Sequence, residues 1–141
     1  MNRHSLIRHC AWPVLLALLA AGCAVVRPPA PVSENSAVIG LVDVARVDVD
    51  AGRLPNAVAS LERALRIEPK NPRLWRELAR VRLQEGEYAQ AENLAARSNS
   101  WAGADNDLRA ENWRLIAEAR AARGDDAGAK LALERARQIE R

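Results

Sequence analysis

Apolar and polar positions alternate along this chain in three successive styles. Met1–His9 is polar and carries Arg3 and Arg8, and Cys10–Ala21 is apolar throughout. Residues 24–36 then mix Pro28, Pro29 and Pro31 with Ser, Asn and Glu. From about residue 38 onward, apolar residues recur at the three- and four-residue spacing of amphipathic helices. Gly52, Gly86 and Gly124 interrupt that pattern at spacings of 34 and 38. Val42–Asp50 reads Val-Asp-Val-Ala-Arg-Val-Asp-Val-Asp, which is partly period two. A lone strand would have nothing to pair with, so this segment too is expected to be helix.

The three glycines anchor a set of columns. Ala57, Ala91 and Ala129 lie five residues after them, and Ala45, Ala79 and Ala117 lie seven before. Leu41, Trp75 and Trp113 lie eleven before, and Val44, Leu78 and Ile116 eight before. Leu61, Ala95 and Leu133 follow at nine, Ala64, Ser98 and Ala136 at twelve, and Ile67, Trp101 and Ile139 at fifteen. Each Gly falls where the chain leaves a helix and needs a left-handed residue. Each Ala falls where two helices must approach closely. Trp75, Trp101 and Trp113 occupy columns that are apolar elsewhere, so core packing is expected of them. Pro69 and Pro72 mark a break, Asp105 or Asn106 is placed to cap a helix, and an insertion is expected around Ala102–Leu108.

These columns resemble the tetratricopeptide repeat, a 34-residue helix–turn–helix unit. The resemblance implies an all-α fold, a right-handed superhelix of three units at about 38–71, 72–109 and 110–141, within a domain spanning 37–141. Ala45, Ala79 and Ala117 replace the family's first Gly, and Asp48, Arg82 and Arg120 replace its aromatic residue. No polar capping helix follows the last unit. Modest stability is therefore expected, with an open flank along Ala129, Leu133 and Ala136 for a partner or for a homodimer through the C-terminal helix.

The N-terminal segment carries an address. Its 12-residue apolar run is short of the ~20 residues that span a membrane. A basic start, a short apolar run and small residues describe a signal peptide, residues 1–22. Leu19-Ala20-Ala21-Gly22-Cys23 resembles the lipobox of bacterial lipoproteins. That resemblance implies cleavage before Cys23, a diacylglycerol on its thiol and an acyl chain on its amino group. Ala24, where inner-membrane retention would require Asp, implies a lipid-anchored position on the periplasmic face of the outer membrane. Cys23 and the Pro-rich tether to residue 36 form the connecting segment. At ~3.1 Å per residue, Ala24–Ser36 reaches about 40 Å.

Composition narrows the chemistry. The sequence holds 21 Lys and Arg against 18 Asp and Glu. Loss of residues 1–22 removes Arg3, Arg8, both histidines and Cys10, leaving 19 basic against 18 acidic residues. Nucleic-acid binding gains no support from that balance. With no His and one Cys, the remaining chain lacks the parts for a Ser-His-Asp or Cys-His pair, a His-containing zinc site or an intrachain disulfide. No cofactor other than the covalent lipid is expected. The carboxylates Glu85, Glu87, Asp125 and Asp126 sit beside the glycines and read as turn and helix-start chemistry.

The family resemblance implies a concave groove lined by the first helix of each unit. Its positions fall on Ile39, Val42, Arg46, Val49 and Asp50, then on Arg73, Arg76, Arg80, Leu83 and Gln84, then on Glu111, Arg114, Glu118, Ala121 and Ala122. Arg46, Arg73, Arg76, Arg80, Leu83, Arg114 and Glu118 are the candidate partner-binding residues, since Arg forms bidentate bonds with carboxylates. Val42 and Glu77 stand where chaperone-binding members place Lys and Asn. The resemblance extends to small envelope lipoproteins that activate bifunctional peptidoglycan synthases, the class A penicillin-binding proteins. This is the favoured expectation, ahead of a type IV pilus secretin pilotin or a periplasmic protease adaptor. A carboxylate-based wall hydrolase is the alternative of a different class.

Overall fold

The computed structural model describes residues 31–141. The leader expected at 1–22, the lipidation site Cys23 and the tether as far as Ala30 lie outside the described residues. The tether expected to reach residue 36 ends earlier: Val32 packs against the domain's core, Ser33 donates to Glu68 at 2.7 Å, and the first helix begins at Ser36. Six helices follow in three pairs: α1 (Ser36–Asp50) with α2 (Leu54–Ile67), α3 (Pro72–Gln84) with α4 (Tyr88–Trp101), and α5 (Asn106–Ala122) with α6 (Asp126–Ile139). The described residues contain no strand, and the all-α expectation holds. None of these helices is long and apolar enough to cross a membrane.

Local chemistry sets the helix ends. Asn35, Asn71 and Asp105 cap α1, α3 and α5, each side chain accepting from backbone N–H groups of the first turn, which offsets donors the helix cannot satisfy. Asp125 caps α6 by accepting from the Gly128 N–H at 2.8 Å. A Cβ on Gly128 would fall on that carboxylate, so the cap itself demands a glycine there. Gly52, Gly86 and Gly124 have φ of 71°, 81° and 80°, the left-handed step that turns each first helix into its second.

The period-two segment 42–50 is helical because its core-facing residues keep helical spacing. Val38, Val42 and Ala45 are buried while Val44 and Val47 face solvent, so the alternation arises from valines on two faces. Asp48, also buried, bonds Arg53 Nε across the turn at 2.7 Å. The four extra residues of the third repeat are not a loop. The helix α5 has 17 residues where α3 has 13, one added turn at its start, and the third pair therefore begins at Asn106 rather than at the expected residue 110.

Two cores run through the stack. The first contains Val38, Val42, Leu61, Leu65, Leu74 and Leu78. The second is mostly alanine (Ala79, Ala91, Ala95, Ala119, Ala129 and Ala132) around Leu115 and Ile116. Polar ties reinforce the second. Ser98 Oγ donates to Pro72 O at 2.7 Å, and Asn112 Nδ2 donates to Ser98 Oγ at 2.7 Å and to Asn99 Oδ1 at 3.0 Å. Arg120 bonds Glu92 at 2.6 Å between α5 and α4.

Two expectations need correction. Trp75 and Trp113 pack against the cores, but Trp101 is 41% exposed, with the Lys70 ammonium 5.4 Å from its ring centroid. Ile67, the equivalent residue at the end of α2, is likewise 46% exposed, so the ends of these two second helices are surface. Ala129 and Ala136 are buried, so of the expected flank only Leu133 is exposed; with Leu131 it makes up the large exposed apolar residues of α6.

Candidate functional site

Helix α3 has two accessible faces. At 100° per residue, Arg76, Arg80, Leu83 and Gln84 lie about 150° around the helix from Trp75, Leu78 and Arg82. The first set faces α5. There it meets Glu111, Arg114, Leu115 and Glu118 across a groove of about 480 Å³. The added turn at the start of α5 does not displace this wall, because the α5 residues of the groove all follow it.

Five of the seven candidate residues meet here: Arg76, Arg80, Leu83, Arg114 and Glu118. The other two do not. Arg46 is exposed on α1 and bonds Asp43 at 3.2 Å. Arg73, one turn before the groove, bonds Asp105 at 2.6 Å and ties α3 to the loop ahead of α5. Val42, another expected groove position, is 3% exposed and belongs to the first core. Leu115 is the groove residue that the repeat register does not offer; its spacing of four from Glu111 is the signal that could have found it.

The arginines are not a free cationic face. Arg76 bonds Glu77 at 2.9 Å and also bonds Glu111 across the groove. With 18% of its side chain exposed and its Nε lacking a partner, it joins α3 to α5. Arg80 lies 3.5 Å from Glu77, and Arg114 bonds Glu140. These two are 59% and 49% exposed. The Arg114–Glu140 pair is exposed on both sides and therefore weak, and Arg80 reaches the largely buried Glu77 only at 3.5 Å, so a partner's carboxylates can draw both arginines away at little cost. The groove can thus exchange ion pairs with a docking surface around a small apolar floor of Leu83 and Leu115.

The turn carboxylates do not converge on a reaction centre. Asp125 caps α6, and Glu85 pairs with Arg82 at 2.9 Å. Among the described residues no group of three or more His, Cys, Asp or Glu is placed to hold a metal ion.

Comparison with known proteins gives a consistent result. A tetratricopeptide repeat family model matches residues 48–110. No curated protein sequence matches significantly. Among solved structures the chain is similar to the globular C-terminal domain of P. aeruginosa LpoP. The identity is 43% over 74% of this chain and 99% of that one, with a TM-score of 0.73. It is similar also to the N-terminal domain of stress-induced protein-1 (STI-1) from C. elegans, at 15% identity over 75% of this chain and 88% of that one, TM-score 0.69. The second likeness concerns the fold alone.

Proposed function

We propose that this chain, which belongs to the tetratricopeptide repeat family, is a docking module of the bacterial envelope that regulates a bifunctional peptidoglycan synthase and performs no chemistry itself. A stack of helix–turn–helix pairs around a groove is a protein–protein interaction scaffold. The observation that carries the reading is the 43% identity across 99% of the LpoP globular domain. Beside it stands the resemblance of leader and repeat to small envelope lipoproteins that activate such synthases. The lipobox at Leu19–Cys23 supports lipid anchoring at Cys23, and Ala24 supports the periplasmic face of the outer membrane.

The docking face we assign is the α3–α5 groove, with Arg80 and Arg114 offering exchangeable charges and Leu83 and Leu115 the apolar contact. Arg76 is the wrong residue to reverse, because a glutamate there would face Glu77 and Glu111 and unfold what it should test. Arg80 and Arg114 are 59% and 49% exposed, so Arg80→Glu/Arg114→Glu leaves the Arg76 tie between α3 and α5 in place and lets the new carboxylates turn to solvent. The full chain in detergent, added to a purified class A penicillin-binding protein of the same bacterium, should raise its rate of glycan polymerisation. The double variant should not. No effect of the parent chain, or retention of a secretin or protease from solubilised envelopes instead, would keep the scaffold and replace the pathway.

A further inference from the structure

The opposite face of α3 opens into a second cleft, of about 680 Å³, walled by α2 and α4. It shares no residue with the groove. Leu65, Leu78 and Leu94 form its apolar floor with the indole of Trp75. Trp75 Nε1 donates to Pro69 O at 2.9 Å, which fixes the ring's orientation. The Arg97 guanidinium lies over that ring, 4.8 Å from its centroid.

The charges here differ in kind from those of the groove. Arg82 is neutralised by Glu62 at 3.6 Å and Glu85 at 2.9 Å. Among the described residues Arg66 and Arg97 have no carboxylate partner, and residues 1–30 contain no acid that could supply one. Two uncompensated guanidiniums therefore stand on opposite walls of an apolar floor. A stacked, exposed Arg is held only weakly to its ring, so Arg97 can turn toward a carboxylate and uncover the indole.

We propose that this cleft is a second docking surface, which takes an acidic protein segment carrying an aliphatic or aromatic anchor. The anchor seats on Trp75, Leu78 and Leu94 while its flanking carboxylates bond Arg66 and Arg97. Other occupants fit less well. The chain's own residues 24–30 carry Arg27 and no acid, so they lack the carboxylates the two arginines call for. A second copy meeting cleft to cleft would oppose like charges. A flat bilayer surface does not reach a recessed floor.

The test places a photoreactive residue at Gln90 or Asn93, on the cleft wall, and separately at Gln84 in the groove, in the full chain inside cells. Mass spectrometry then identifies the cross-linked segments. The cleft positions should trap an Asp- and Glu-rich segment containing a large apolar residue. Arg66→Glu/Arg97→Glu should reduce that yield about tenfold, the equivalent of one close charge contact. Arg66→Lys/Arg97→Lys should retain most of it, and Gln84 cross-links should not change. Far-UV circular dichroism checks that the variants are folded. Cross-links to phospholipid, to a second copy or to a segment without acids would overturn the proposal. So would an absence of cross-links, or a yield indifferent to charge reversal. An absence of Gln84 cross-links in the parent chain, with the cleft cross-links intact, would contradict only the groove reading.

Discussion

Branched aliphatic side chains fill the first core, with Leu61, Leu74 and Leu78 fully or almost fully buried, whereas alanines dominate the second, where Ala91, Ala95 and Ala119 are buried completely. Volume holds the first together. Close helix approach holds the second, helped by Ser98, Asn112 and the Arg120–Glu92 pair. The surfaces follow the cores beneath them. Leu65 and Leu78 give the cleft its apolar floor, while the groove, above the alanine side, has walls of paired Arg and Glu. The difference teaches that one helix, α3, can serve two surfaces of opposite character because a different core lies on each side of it.

That comparison can be broken by mutation. Leu74→Ala removes a side chain that is 0% exposed and should destabilise by about 2–5 kcal/mol, the usual cost of a cavity in a filled core. Urea unfolding of the full chain measures it. The alanine core should fail in the opposite direction. Ala95→Leu has no room between α4 and its neighbours and should cost about 1–3 kcal/mol by overpacking; a neutral result in the same titration would show that the second core is loose rather than close-packed. Asn71→Ala deletes the cap of α3 and its bonds to Val32 O and Glu68, and thermal unfolding should report a loss of about 1 kcal/mol. Smallest of all, Arg80→Glu/Arg114→Glu reverses two half-exposed arginines and should alter stability by about 0.5 kcal/mol.

The repeat is legible because it is written in backbone and spacing. The glycine columns mark left-handed turns, and the columns of Ala57, Ala91 and Ala129 and of Ala45, Ala79 and Ala117 are buried. Asp105 caps α5 as its position implies. The site is less legible, because charge pairing depends on partners far away in sequence. Arg76 meets Glu111 and Arg114 meets Glu140; repeat register places Arg76 and Glu111 in one groove without showing that they pair, and gives no sign of Glu140. Trp101 departs from its expected burial because a column's apolar character does not tell whether a neighbouring helix reaches its end. The cleft is invisible in the sequence for a similar reason: Leu65, Trp75, Leu94 and Arg97 come from three helices.

Docking of the proposed groove on a peptidoglycan synthase is tested by titrating the purified synthase with the full chain and with its Arg80→Glu/Arg114→Glu variant, following binding by microscale thermophoresis in the same detergent. The parent should bind saturably and the variant at least about tenfold more weakly, from the loss of two exchangeable charge contacts. Equal affinity of a folded variant and its parent would contradict docking through the groove.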